Sequence, residues 1–416
     1  MLGGDNGNMT AKKQTVRKDH SSAENARVSK AARSKTPTAP PDMDPLSICA
    51  TCAKHPSLKR FVKDYGAPGY QCGICLRSDL IASAPAKHEA LSYLIRALVR
   101  FYYDEWIYNG HWGGREEPES LLSGENEIVE HASAPGFPRS AETSEGFLVG
   151  LFDPPYPDYD KGVAVYAGND KDGRLPALYA ISTTSSPLYE KITQRLAKEN
   201  YFEVEDQFGK LLAKLDAGIS GSLPAGTILF RARIGVAQRF VRDTGGWTGA
   251  TVFQPYLGTE IGAPPPAKAT AGRLNRGGVS FLYLSTDETT AAAEVRPHPG
   301  HRVSIGAFRC LRDIRLADFG GIDIANFSSS DARLEIFHLG HTISREISLP
   351  ITPEDRHKYS VTQLLADIIR LHSLSRMPSA PSRPTNVALG APIARKEWPH
   401  IPFRTRSPIW SAFSTR

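Results

Sequence analysis

AGRLNRGGVSFLYLSTDETTAAAEVRP, residues 271–297, is the stretch on which the reading of this chain turns. A basic, glycine-flanked turn (GRLNRGG) leads into a short apolar strand (VSFLYLS), and a polar cap (STDE) opens an alanine-rich helical turn that ends at Pro297. That turn carries one acid, Glu294. Backbone amides freed by glycine, the fork of Arg273, the strand residue Tyr283 and the Glu294 carboxylate can converge within one supersecondary unit. Such a set suits a phosphate-bearing ligand whose reaction develops positive charge. Neither the G-x-G-x-x-G nor the Walker A spacing is present, which argues against a Rossmann site or a P-loop.

Each part also has a structural reading. Glycine- and asparagine-rich turns before strands are common. Tyr283 shares a strand face with Val279, Phe281 and Ser285, so core packing is its default. Ser285-x-x-Glu288 has the spacing of a capping box, which places Glu294 inside a short helix.

Upstream, TILFRARI (227–234) is a period-2 strand with Ile228, Phe230, Ala232 and Ile234 on one face and Leu229, Arg231 and Arg233 on the other. Paired arginines on a sheet face need a counter-ion. Further strands are expected within 302–319 and, weakly, at GFLVGLF (146–152) and GVAVYAG (162–168). Helical spacing is clear at 84–108, where Leu91, Leu94, Ile95, Leu98 and Phe101/Tyr102 form one stripe. It recurs across 187–215 as one or two helices, and at 361–371 with Val361, Leu364, Leu365, Ile368 and Leu371.

At 416 residues and 40% hydrophobic, the chain can bury a sizeable core. Its net charge of +6 would suggest nucleic acid, but residues 1–40 supply +5 of it and the body is nearly neutral. The basic balance is therefore a property of a Ser-, Lys- and Ala-rich leader expected to be disordered. With no apolar signal region and no apolar run near membrane length, the protein is expected to be cytoplasmic, with no membrane partner.

Four cysteines make two C-x2-C pairs, Cys49/Cys52 and Cys72/Cys75. Two tight knuckles of this kind can close a tetrahedron of thiolates around one Zn2+, a closed and therefore structural site. Redox chemistry is the lesser alternative, because neither pair sits in a βαβ pattern. Cys310 lies in a strand pattern and reads as a buried apolar residue.

The segments LFRAR (229–233), AGRLNRGGVSFLYLS and TAAAEVRP, in that order and spacing, resemble the RES family, toxin-like domains that degrade NAD. The resemblance runs over about 224–390. Upstream, the C-x2-C pairs, the helical stretch and ENYFEVEDQF resemble the N-terminal extension of a subset of these proteins, classed near the HEPN helical domains. It implies an α+β chain whose C-terminal mixed α/β domain has the ADP-ribosyltransferase fold, behind a small zinc-bound, mostly helical domain. The expected boundaries are a basic tail at 1–45, the zinc-knuckle and helical domain at 46–220, the RES domain at 221–395 and an irregular tail at 396–416.

The resemblance also implies site residues. The family arginine falls on Arg231, with Arg233 two residues along the same face as its alternative. A second arginine falls on Arg273, beside Asn275, and these four are expected to bind the dinucleotide. Glu294, Tyr283 and a serine are expected to be catalytic. MPSAPSRPTNVAL (377–389) points to Ser379 for that serine, with Ser382 second. The implied reaction is cleavage of the nicotinamide–ribose bond of NAD, by hydrolysis, phosphorolysis or ADP-ribosyl transfer, with a cognate antitoxin protein as partner.

Two other classes compete. One is a zinc-knuckle nucleic-acid-binding protein with an inactive RES-like domain. The other is a HEPN-type ribonuclease, for which the nearest Arg and His in the helical segment, Arg100 and His111, are too far apart and straddle a glycine.

Overall fold

A computed structural model describes residues 47–109, 112–131, 147–148, 150–151, 175–242, 249–349, 355, 358–375, 388–390 and 411–414. The basic leader, GVAVYAG, Ser379, Ser382 and His111 lie outside these residues. The described part mixes helix and strand, an α+β arrangement.

Helices dominate the first half: α1 (Pro56–Tyr65), α2 (His88–Tyr102), α3 (Glu105–Tyr108), α4 (Pro118–Ser123), α5 (Ala177–Thr183), α6 (Pro187–Leu196) and α7 (Tyr201–Ile219). Two short strands, β1 (Gly66–Ala67) and β2 (Ala82–Ser83), pair antiparallel beside α1. The helical stripe expected at 84–108 is α2, and its Leu91, Leu94, Ile95, Leu98 and Phe101 are all buried. The 187–215 stretch splits into α6 and α7, with a turn at 197–200 between them. GFLVGLF departs from its strand expectation. Phe147, Leu148 and Gly150 are helical, and Phe147, Leu148 and Leu151 are buried. A short apolar run has no alternation with which to separate helix from strand.

The second half supplies β3 (Ser220–Leu223), β4 (Ile228–Ile234), β5 (Gln238–Arg242), β6 (Ala250–Gln254), β7 (Phe281–Leu284), α8 (Glu288–Glu294), β8 (Val303–Arg309) and β9 (Ile314–Asp318). Then come α9 (Asp331–Ser348), α10 (Tyr359–Ser375), β10 (Ala388–Gly390) and β11 (Ser411–Ser414). The strands form small sheets. β4 pairs antiparallel with β8 along its whole length, from Ile228 opposite Arg309 to Ile234 opposite Val303. β5 pairs with β6, β11 with β7, and β9 lies between antiparallel β3 and parallel β10. Phe230 and Ser285 exchange both backbone hydrogen bonds at 2.8 Å, tying the end of β7 to the middle of β4.

The clean two-faced alternation expected for β4 is not what forms. Leu229 and Ala232 are buried, whereas Ile228 and Ile234 are more than a third exposed. The middle of the strand is covered by α8 and β7 while its ends run out of that cover, so position along the strand outweighs side.

One apolar core runs from Ile48 to Ile368. It joins α1, α2, α6 and α7 to α9 and α10, and takes in Leu274 and Phe281. It passes straight across position 220/221, where α7 continues into β3. Polar ties cross the same line. Arg60 pairs with Asp323 at 2.5 Å, and the Ser186 amide donates to Thr342 Oγ1 at 2.9 Å. Among the described residues no helix is long and apolar enough to cross a membrane.

Candidate active site

The quoted 271–297 stretch folds around two hubs, a buried asparagine and an acid with no ion pair among the described residues. Asn275 is buried, and its Nδ2 donates to the carbonyls of Thr270 at 2.9 Å, Arg276 at 3.1 Å and Val279 at 3.1 Å. Its Oδ1 accepts from the Tyr283 hydroxyl at 2.7 Å, and that oxygen in turn accepts from the Leu274 amide at 3.2 Å. Gly272 is required by this closeness, since a Cβ there would lie 2.6 Å from Asn275 Oδ1 and 3.2 Å from the Tyr283 oxygen.

The amides of Gly272 and Val279 donate within the turn, to Asn275 O and Arg276 O, while that of Gly278 donates to Ala269 O and that of Leu274 to the Tyr283 hydroxyl. From outside, α10 staples the turn: Thr362 Oγ1 donates to Arg273 O at 2.6 Å, and Gln363 Nε2 donates to Gly272 O at 2.7 Å and Asn275 O at 3.1 Å. These bonds fix the shape of the turn from both sides. Asn275 serves the turn. Arg273 donates through Nη1 to Ile347 O at the end of α9.

The expected capping box is also displaced. Asp287, not Ser285, caps α8, accepting from the Thr290 amide and hydroxyl at 2.7 Å each. Ser285 is still in extended pairing with Phe230, so its backbone cannot begin the helix.

α8 lays Ala291 and Glu294 on one side, three residues apart, against β4. Between helix and strands lies a cavity of about 210 Å³, lined by Phe230, Arg231, Tyr283, Ser285, Ala291 and Glu294 among others. Small side chains at Ala232 and Ala291 leave it open.

Two opposite charges face this space without each other. Arg231 Nε and Nη1 are buried and have no hydrogen-bond partner among the described residues. Burial, and then the nearby Arg233 charge, push Arg231 below the usual guanidinium range. Glu294 forms no ion pair among the described residues, and burial pushes it up to about 7, with Arg273 and Arg296 drawing it partly back. The Tyr283 hydroxyl is pushed up to about 12 by burial, so it stays protonated and presents its ring, not a base, to the cavity.

The structure thus brings Arg231, Tyr283 and Glu294 together. Arg273 and Asn275 stand behind Tyr283. Arg233 lies farther along β4, its Nη1 on Glu260 O and its guanidinium 4.4 Å from the Tyr256 ring centre. The sequence reading missed Ser285 as a lining residue, and missed Thr362 and Gln363. Their signal was a polar pair at the start of an amphipathic helix, which fixes no partner.

Residues 248–406 match the family model of the RES domain. No curated protein and no solved structure matches the chain. The RES match starts and ends later than the 221–395 expected, and it includes β7, α8 and Glu294. β4 and Arg231 precede it, yet β4 pairs along its full length with β8 inside it, so the arginine joins the RES domain through the sheet.

Away from this cavity, the sulfurs of Cys49, Cys52, Cys72 and Cys75 lie within 4.8 Å of one another, all buried and none in a disulfide. Cys49 and Cys75 Sγ are 3.7 Å apart. That is the edge of a tetrahedron whose corners stand at zinc–thiolate distance, about 3.8 Å for Zn–S of ~2.3 Å. The Cys49 amide donates to Cys72 Sγ at 3.3 Å and the Cys52 amide to Cys49 Sγ at 3.4 Å, bonds that favour thiolates. These four residues could hold a metal ion.

Proposed function

We propose that the RES domain of this chain cleaves the nicotinamide–ribose bond of NAD, as part of a toxin-like activity. One observation carries the reading: Arg231 and Glu294 line the same small cavity, each half-buried, and neither forms an ion pair among the described residues. The nicotinamide nucleotide is itself split in charge, a pyridinium cation at one end and a phosphate anion at the other. Arg231 takes the phosphate with its guanidinium, whose Nε and Nη1 have no partner among the described residues. The Tyr283 ring packs on the nicotinamide.

Glu294 sits by the C1′–N bond. A cation beside it lowers its titration, so bound substrate keeps it ionised near neutrality. As the bond breaks, its electron pair leaves with neutral nicotinamide, and the carboxylate stabilises the oxocarbenium-like ribose. Water, phosphate or a protein nucleophile then adds at C1′. A single carboxylate suits this reaction, in which the leaving group needs no proton. Ser379 is assigned to the ribose or carboxamide by the family pattern. The fold this reading implies for the domain is ADP-ribosyltransferase-like, with a cognate protein inhibitor.

The test is nicotinamide release from NAD by the full chain beside Glu294→Gln and Arg231→Ala. Loss of at least ~100-fold in kcat for Glu294→Gln is expected. Equal turnover in wild type and both variants would overturn the assignment.

The four-cysteine cluster we assign to structural Zn2+, supported by four buried sulfurs within 4.8 Å of one another. One zinc per chain by elemental analysis, lost in Cys72→Ser, is the expected result.

A further inference from the structure

A cavity of about 210 Å³ is smaller than the ~300–1,000 Å³ of ordinary small-molecule sites. It takes a nicotinamide and part of its ribose, and a dinucleotide must continue elsewhere. The strand that carries Arg231 also shows where. Two residues on, about 7 Å along the same face, Arg233 lines a groove of about 420 Å³ with Glu260, Pro264, Pro266, Lys268 and Ser280.

Several features make this groove a fitted surface. Arg233 is oriented, not loose: Nη1 is held by Glu260 O and its plane lies over the Tyr256 ring, leaving the remaining fork free. The wall is rigid, because residues 264–266 are three consecutive prolines and Ser280 Oγ donates to Pro264 O at 2.6 Å. The one carboxylate of the groove, Glu260, turns back on its own loop, accepting weakly from the Leu257 amide at 3.4 Å. Lys268 is exposed, with no ion pair among the described residues. Arg231 and Arg233 stand two residues apart on one face of β4, and neither forms an ion pair with a carboxylate among the described residues. A diphosphate is long enough to bridge two guanidiniums at that spacing.

We infer that the Arg233–Lys268 groove binds the adenylate half of the dinucleotide, its diphosphate spanning Arg231 and Arg233 and its purine lying against the Pro264–Pro266 wall. This rests on the cavity being the nicotinamide end of the NAD site. It makes the groove a determinant of dinucleotide over mononucleotide.

The experiment compares NAD with nicotinamide mononucleotide on the full-length protein, and measures AMP both as competitive inhibitor and by direct calorimetry. Lys268→Glu is the main variant, because the side chain is exposed and holds nothing in place. Arg233→Ala is the second, checked for folding since it frees Glu260 O. With Lys268→Glu, kcat/KM for NAD should fall about fivefold or more while that for the mononucleotide changes less than about twofold, and AMP should lose its affinity. A proportional fall for both substrates, or unaltered AMP binding, overturns the groove while leaving NAD cleavage intact. If wild type cleaves neither substrate yet binds AMP in a Lys268-dependent way, the groove stands and the catalytic reading falls.

Discussion

Glu294 is a carboxyl that the fold holds at a cost. Its free value of 4.5 rises to about 7 on burial. A raised acid leaves the fold fully stable below the unfolded value and weakens it as pH climbs from about 4.5 through 7. Glu294→Gln removes that penalty. It should stabilise the protein by about 1–2 kcal/mol at pH 8, the opening of the cavity to solvent discounting the full shift, and by little at pH 4.5. Urea unfolding at the two pH values measures this, and the same gain at both would show that the acid is not desolvated. Ala291 bounds the same cavity. It is buried, one helical turn from Glu294, and its missing side-chain volume is part of the cavity. Ala291→Leu should abolish nicotinamide release while leaving the helical circular dichroism unchanged. Retained turnover would move the chemistry out of this cavity.

At the scale of elements, the 272–279 turn and the helix α10 act as one piece. Asn275 joins three carbonyls and the Tyr283 hydroxyl, and Gln363 holds two more carbonyls of the turn. Asn275→Asp keeps the acceptor for Tyr283 but aims a carboxylate at three carbonyl oxygens. It should destabilise by about 2–4 kcal/mol, more than Gln363→Ala at about 1–2, because the buried amide cannot be replaced by water. Chemical denaturation checks the order; a change in NAD affinity with no change in stability would return Asn275 to the ligand.

These elements also show what a sequence discloses. α2 and α10 were legible because one-sided burial writes itself as a 3.6-residue period, and the gathering of the four cysteines because two C-x2-C pairs each bring two thiols to one tight turn. Arg231, Tyr283 and Glu294 were legible as a set only through family pattern. The bonding of Asn275 inside the turn was not, because an asparagine between glycines does not name its acceptors. What decides is which acceptors surround Asn275, and three of those are set by how the loop closes. β4 misled for a related reason: alternation records sides, whereas its burial follows where α8 and β7 happen to end.

Over the whole molecule, the apolar core is continuous from the cysteine cluster to the RES helices. Cys49, Cys52, Cys72 and Cys75 belong to the same buried cluster as Phe337 and Leu364, Phe101 meets Phe337 with ring centres 6.2 Å apart, and Arg60 reaches Asp323. A metal bound only by the folded chain stabilises by mass action, and a shared core passes that stabilisation on. On the proposed assignment of Zn2+ to the four cysteines, removing the metal should not melt a separate N-terminal unit; it should lower one transition for everything.

The expected outcome with a strong chelator is a single thermal transition moved down by roughly 5 °C or more, as when a structural site worth a few kcal/mol is lost from a chain this size. Near-ultraviolet dichroism and nicotinamide release should fall along the same curve. Cys72→Ser should reproduce the shift without chelator, and added Zn2+ should reverse the chelator's effect but not the variant's. Two resolved transitions, with NAD cleavage surviving the first, would mean that the cysteine unit and the RES domain fold separately despite their common core.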